Sequence, residues 1–302
     1  MGLSYWSTHL IACYAKNNSL GETLTLGRQN ITIPKRFREK LSSNHELQSA
    51  MLSGFCEPLL VKLGATSVNS LDVSDYESCD LTLDLSQPVP KEYWNRFDTV
   101  LDYGTSEHIF NFPQVLSNIF MMLKNGGAYN FCLPVTGWCD HGLYQFSPNM
   151  FTSIAASGYF DLKYLFMQGG NVQRRVYAAK GFVGLRSIEL LSHKKILAWG
   201  ILTKNKEATL KEELINVFQI YYLKSWEQAR GNNTNLKTYT DSAHGALSSI
   251  DTGNINSLLK KCIPEKIKQM LWFYKAYRSL SFDDVNENFD SYMVQYDLQN
   301  KI

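Results

Sequence analysis

Residues 97–134 read FDTVLDYGTSEHIFNFPQVLSNIFMMLKNGGAYNFCLP, and this stretch decides the fold. FDTVLDYG, from Phe97 to Gly104, is mostly apolar, the pattern of a strand buried on both faces. From Phe112 to Leu123 the spacing predicts a helix, with Leu116, Ile119, Phe120 and Leu123 on one face and Gly126-Gly127 as its stop. AYNFCLPV is a second apolar strand. Strand, helix, strand in that order is the unit of a parallel sheet with a right-handed crossover.

The same alternation extends in both directions. Upstream, ETLTL at 22–26 predicts a strand that ends at Gly27-Arg28-Gln29. Pro34 opens a helix-like stretch, PKRFREKL, and HELQSAML follows it. EPLLVKLG runs from Glu57 to a natural helix stop at Gly64. SVNSLDVSD is a strand finishing among aspartates, and CDLTLDLSQPVP is a strand stopped by Pro88. Downstream, Ser147-Pro148 starts a helix, with Ser147 as N-cap and Pro148 in the first turn. YFDLKYLFMQ and ILAWGILTK are later strands, separated by a segment holding Arg174, Arg175, Lys180 and Arg186. That basic cluster reads as a solvated face or as a receiver for an anionic acceptor. Residues 22–204 therefore call for an α/β domain with a mainly parallel sheet.

After Lys204 the pattern changes. KEATLKEELINVFQIYYLKSWEQAR predicts an amphipathic helix with Leu210, Leu214, Val217, Phe218, Tyr221 and Tyr222 toward one side. Residues 231–256 read as a linker. Residues 257–280 predict further helices around Pro264, basic and aromatic, which pack on the preceding domain or form a homodimer contact, and 281–302 is acidic. The expected division is a domain over 1–205 and a helical C-terminal extension over 206–302.

Composition bounds the function. The chain has 302 residues, 44% hydrophobic and 19% charged, enough apolar material for a core. Thirty basic against 28 acidic residues leaves a formal charge of +2, which argues against a nucleic-acid binder. No apolar run reaches the roughly 18 residues of a transmembrane helix. The opening MGLSYWSTHLIACYAKNNSLGE lacks a basic region ahead of its apolar stretch, and Trp6 breaks the N-myristoylation pattern. The six cysteines form no CxxC pair and read as reduced thiols of a cytoplasmic protein. Cys132, Cys139 and His141 lack the paired short spacings of a zinc site, so no metal is expected. Sequons at Asn17, Asn30 and Asn232 read as chance.

In open α/β sheets ligands bind beyond the carboxyl ends of the strands. There the sequence sets Gly27-Arg28-Gln29, then Asp72 and Asp75, then Asp84, then Asp102-Tyr103-Gly104-Thr105-Ser106-Glu107-His108, and after the fifth strand His141-Gly142-Leu143-Tyr144. A glycine after the first strand admits close approach of a ligand. An acid after the second accepts from ribose hydroxyls, and one after the third from an adenine amino group. Each acid taken singly also serves as a loop residue or N-cap. The absence of G-x-G-x-x-G argues against a nicotinamide dinucleotide enzyme.

The stretch 97–134 resembles the fourth-to-fifth strand region of class I S-adenosylmethionine-dependent methyltransferases, with its aspartate-led strand, Glu-His pair, helix and K-x-G-G. GFCEPLLVKLGATSVNSLDVSDYE with DLSQPVP, GTSEHIFN and HGLYQFSP resembles more closely a group of bacterial methyltransferase-like proteins, some from polysaccharide gene clusters. The resemblance covers about residues 20–205. It implies a Rossmann-like seven-stranded sheet whose final strand, ILAWGILTK, is antiparallel to the rest. It implies S-adenosyl-L-methionine as cofactor, with Gly27 after the first strand, Asp72 on the ribose, Asp84 and Leu85 at the adenine, and Asp102, Tyr103 and Gly104 lining through backbone. Glu107 and His108 would face or support the transfer site. The chain departs from the family in having one glycine after the first strand, so Arg28 either pairs the cofactor carboxylate or forms a surface ion pair. A hydroxyl acceptor needs a base, for which His141 and His108 suit, with Tyr144 as a contact or a pocket wall. The expected activity is methyl transfer to a carbohydrate or related small metabolite, with a non-catalytic binding subunit of the same fold as the alternative.

Overall fold

The structure, a computed structural model, describes residues 2–33, 38, 44–169, 175–179, 195–206, 208, 214–219, 222 and 282–284. The expected helix from Pro34, the basic cluster's side chains, the linker and the helices of 257–280 lie outside the described residues, and with them the expected homodimer contact.

Helix α1 (Tyr5–Ala15) begins on a reciprocal cap, in which Ser4 and Ser7 each accept from the other's backbone N–H. Strand β1 (Gly21–Leu26) follows, then α2 (His45–Ala50) capped by Asn44 and α3 (Glu57–Lys62) with Pro58 in its first turn. β2 (Ala65–Asp72), β3 (Leu81–Thr82) and β4 (Phe97–Asp102) lead to α4 (Phe112–Met122). β5 (Leu123–Thr136), α5 (Pro148–Ala156), β6 (Phe160–Gly169), β7 (Arg175–Ala179), β8 (Ile196–Lys204) and β9 (Phe282–Asp284) complete the described elements.

One sheet carries them in the order β3-β2-β1-β4-β5-β8-β6-β7-β9. β3, β2, β1, β4 and β5 are mutually parallel. β8 inserts antiparallel between β5 and β6, as expected for ILAWGILTK. The expected seven strands are present. β7 and β9 add an antiparallel edge that the sequence reading had not found.

Alternation along the central strands builds two cores. Val100, Tyr129, Phe131, Leu133 and Leu202 face α4 and α5. Leu101, Ala128, Cys132, Trp199 and Ile201 face α1 and α3, where Trp6, Leu10, Leu59 and Leu60 pack. Helices therefore cover both faces of the parallel strands, the condition for such a sheet to be stable.

Three expectations need correction. CDLTLDLSQPVP forms a strand only at Leu81–Thr82, because β3 is an edge strand with one partner and the chain turns where Gln87 N–H meets Asp84 O at 3.1 Å. Gly126-Gly127 does not end α4. The helix stops at Met122, and the pair lies in the irregular entry to β5, where the register with β4 shifts. Leu214–Gln219, expected to be helical, has no helix. Ile215 is buried there between exposed neighbours and donates its N–H to Ser117 Oγ at 3.0 Å, so docking on α4 overrides the helical period. Among the described residues, no helix is long and apolar enough to cross a membrane.

Candidate active site

β1 sits between β2 on one side and β4 on the other, so the crossovers diverge at its carboxyl end and leave a crevice there. Gly27 turns the chain out of β1 with φ of +69°, and its N–H donates to Leu71 O at 2.6 Å. A Cβ at this position would stand 2.9 Å from Thr105 Oγ1 and 3.8 Å from Asp72 Oδ2. Three loops thus meet closely at a position where the positive φ and the lack of space favour glycine. Thr105 Oγ1 closes the convergence by donating to Leu26 O at 2.6 Å. Asp72 Oδ1 accepts from Val73 N at 2.7 Å, which fixes the carboxylate and leaves Oδ2 toward Gly27.

Gln29, which sequence reading only quoted, is buried in this turn. Its Nε2 donates to Leu26 O at 2.5 Å, while its Oε1 has no partner among the described residues. Arg28 resolves toward one of its two alternatives: Nε pairs with Glu57 Oε1 at 2.7 Å, Nη1 donates to Glu77 O at 2.7 Å, and the guanidinium lies 3.9 Å over the Phe55 ring. It braces the loops around Glu57 and Glu77.

Asp84 is exposed at the turn after β3. Its Oδ1 accepts from Ser86 N at 2.8 Å, and the Ser86 donors hold its carboxyl below the usual range. Leu85 is buried in the apolar core under α4. Asn118 of α4 holds this loop, donating to Leu85 O at 3.0 Å and Gln87 O at 2.8 Å and accepting from Val89 N at 3.1 Å. A polar residue in the middle of an otherwise apolar helix face was the available signal for that role.

Asp102 ends β4 fully buried. Oδ1 accepts from Thr105 N at 3.1 Å and Ser106 N at 3.2 Å, and Oδ2 accepts from Tyr129 Oη at 2.8 Å and from Ser106 Oγ. Burial pushes its pKa up against these donors. Its side chain builds the 103–108 turn. Tyr103 points into the opposite core, donating to Asn130 Oδ1 and accepting from Trp199 Nε1, each at 3.0 Å. Gly104 carries the turn onward with φ of +103°.

That turn delivers Glu107 and His108, in a short helical turn before α4 rather than at the helix start. Glu107 is fully buried, and neither carboxylate oxygen has a hydrogen-bond partner among the described residues. Burial, with the Asp102 charge adding to it, pushes its pKa up to about 7. His108 Nε2 lies 3.9 Å from Glu107 Oε1, and His141 Nε2 lies 4.0 Å from the same oxygen. The two imidazole rings sit 5.3 Å apart. Burial lowers the pKa of both.

The loop after β5 is built onto Glu107. Leu143 N and Tyr144 N both donate to Glu107 O, at 2.8 and 3.2 Å. A Cβ on Gly142 would stand 3.0 Å from Glu107 Cγ. Trp138, not singled out from sequence, packs its ring 4.9 Å from that of His141. Tyr144 donates Oη to Phe110 O at 2.6 Å and stacks against Phe110 and Phe146. The sequence-predicted residues thus form two groups. Gly27, Asp72 and the 102–105 turn converge at the β1 crevice. Glu107, His108 and His141 cluster beyond β4 and β5.

No protein-family model matches the chain, and no curated protein matches it. Solved structures with a similar fold include the following three. A 1,6-didemethyltoxoflavin-N1-methyltransferase from Burkholderia thailandensis, solved with bound 1,6-didemethyltoxoflavin and S-adenosylhomocysteine, is 13% identical over 67% of this chain and 78% of its own, with a TM-score of 0.38. The N-methyltransferase NodS from Bradyrhizobium japonicum is 12% identical over 65% of this chain and 94% of its own, TM-score 0.37. The YcgJ protein of Bacillus subtilis is 9% identical over 68% and 100%, TM-score 0.42. The sheet order and the antiparallel β8 are those of the Rossmann-like methyltransferase fold.

Proposed function

We propose that the chain is an S-adenosylmethionine-dependent methyltransferase that methylates a hydroxyl of a carbohydrate or related small metabolite in the cytoplasm. The observation that carries this reading is the convergence of the Gly27 turn, Asp72 and Thr105 at the carboxyl end of β1. The fit to the cofactor is chemical. Asp72 Oδ2 is an acceptor for ribose hydroxyls, Asp84 is an exposed acceptor for an adenine amino group, and the left-handed turn at Gly27 lets backbone approach the methionine portion closely. Gly104 and neighbouring backbone of the 102–105 turn would line that portion, taking over from Arg28, which Glu57 engages.

When bound, the cofactor supplies an electrophilic methyl group and its own leaving group. The protein's residues have to align the acceptor and handle one proton. The Glu107, His108 and His141 cluster lies beyond the ends of β4 and β5, and its imidazoles, their pKa lowered by burial, can receive the hydroxyl proton. The five described cysteines are all free, in keeping with a reducing compartment.

Calorimetric titration with S-adenosylhomocysteine tests the reading. Wild type should bind saturably, and Asp72→Ala should weaken binding about tenfold or more, the effect of losing hydrogen bonds to a charged group. Absence of binding by folded wild type would overturn it and favour a non-catalytic module of this fold.

A further inference from the structure

Glu107 poses a problem that the loop architecture does not answer. A fully buried carboxylate with no donor to either oxygen is costly, and native structures keep such groups when something else satisfies them. Two imidazole nitrogens aim at the same oxygen, at 3.9 and 4.0 Å, too far for hydrogen bonds. His141 Nε2 is itself buried without a partner among the described residues. One donor atom from each of Glu107, His108 and His141 falls within 4.8 Å of the other two.

We propose that Glu107, His108 and His141 bind one divalent first-row transition-metal ion. Two imidazoles and one carboxylate suit zinc, manganese or iron(II), and are a poor match for calcium or magnesium, which prefer all-oxygen sets. Coordination at about 2.0–2.2 Å draws the donor atoms to about 3.0–3.5 Å from one another. The two carboxylate–imidazole distances, 3.9 and 4.0 Å, need to close by an ångström or less and the longest donor pair by at most about 1.8 Å, and His108, with 45% of its side chain exposed, has room to rotate. His141 and Glu107 come from separate segments, yet the loop is locked to Glu107 by two N–H donors to its carbonyl and by the Cβ-free face of Gly142. A loop shaped to seat an imidazole against a buried carboxylate is the arrangement an ion site requires. Sequence spacing concealed it, since the ligands are a neighbouring pair and a residue 33 positions later.

Three protein ligands leave positions open for water or an acceptor oxygen, and an ion there would bind and acidify an acceptor hydroxyl. The histidines would then hold the ion, and the hydroxyl proton would pass to solvent water at the open side of the site instead of to an imidazole. Only this catalytic use rests on the methyl-transfer reading; the ion site stands without it.

The test is a cobalt(II) titration of tag-free, chelator-treated full-length protein, followed by visible absorption and by competition with zinc(II). The expected result is one equivalent bound per chain, with d–d bands, no thiolate charge-transfer band from the cysteines, and displacement by zinc. His108→Ala and His141→Ala should each weaken binding at least tenfold, while His108→Ala, at a half-exposed position, keeps the wild-type melting temperature. No stoichiometric binding, a thiolate band, or binding unchanged in both variants would overturn the proposal. S-adenosylhomocysteine titrated into the same samples separates the two readings. Cobalt without the methyl-donor product keeps the ion site and removes methyl transfer. The product without cobalt does the reverse.

Discussion

The two edges of the parallel sheet treat charge in opposite ways. At the amino edge, Lys124 Nζ meets Glu22 Oε2 at 2.7 Å and Asp98 Oδ2 at 2.9 Å, and Asp98 also accepts from Glu22 N at 2.8 Å. Burial pushes the Asp98 pKa up, but the Lys124 ammonium and the Glu22 N–H outweigh it and hold the carboxyl below its ordinary range. Lys204, brought to this edge by the antiparallel β8, donates to Asn95 Oδ1 and Leu123 O at 2.9 and 2.8 Å. At the carboxyl edge Asp102 is equally well served, but the carboxylate of Glu107, five residues on and as deeply buried, has no hydrogen-bond partner among the described residues. The amino edge is a closed polar network. The carboxyl edge is closed up to Asp102 and open after it. In a fold that binds ligands at carboxyl ends, the unsatisfied groups mark where stability yields to function.

Deleting the Asp102 carboxylate should have the largest effect. Asp102→Ala strands two N–H donors, a serine and a tyrosine hydroxyl in the interior, and urea denaturation should show a loss of about 3–5 kcal/mol. Gly27→Ala comes next. A side chain at φ of +69°, 2.9 Å from Thr105 Oγ1, should cost about 2 kcal/mol in the same assay and weaken S-adenosylhomocysteine binding. Glu107→Met sharpens the contrast by changing the sign. In chelator-treated protein it removes an unpartnered buried carboxyl, and stability should rise by about 1 kcal/mol, while cobalt binding is lost.

The smallest effect belongs to Lys204, whose pKa burial lowers to about 8. Between there and its ordinary value near 10.5 the unfolded chain binds more protons than the folded one, so the penalty for burying the ammonium is relieved as pH rises. The stability of wild type relative to Lys204→Met should therefore increase from pH 8 to 10, on the order of 1 kcal/mol, and stay flat between pH 6 and 7.5.

The parallel core was legible because its strands and helices carry their periods in full: FDTVLDYG, AYNFCLPV and ILAWGILTK all fall where their apolar runs put them. Helix α1 was not, since its buried stripe of Trp6, Leu10 and Tyr14 is interleaved with serine, threonine and histidine whose polarity hides the face. β7 and Leu214–Gln219 were missed because sheet-edge pairing and docking on α4 decide them, and neither is local. The placement of Gly27 and Asp72 at the carboxyl ends of β1 and β2 was readable from the strand boundaries. Arg28's engagement with Glu57, 29 residues away, and the meeting of Glu107 with His141 depend on loop geometry that no spacing encodes.

Amide hydrogen exchange with and without S-adenosylhomocysteine tests the contrast between the edges most directly. Slowed exchange is expected in peptides covering 27–29, 72–75 and 103–108, and no change at 21–23, 97–99 or 123–125. Protection confined to the amino edge, or no change at either edge at saturating ligand, would contradict it.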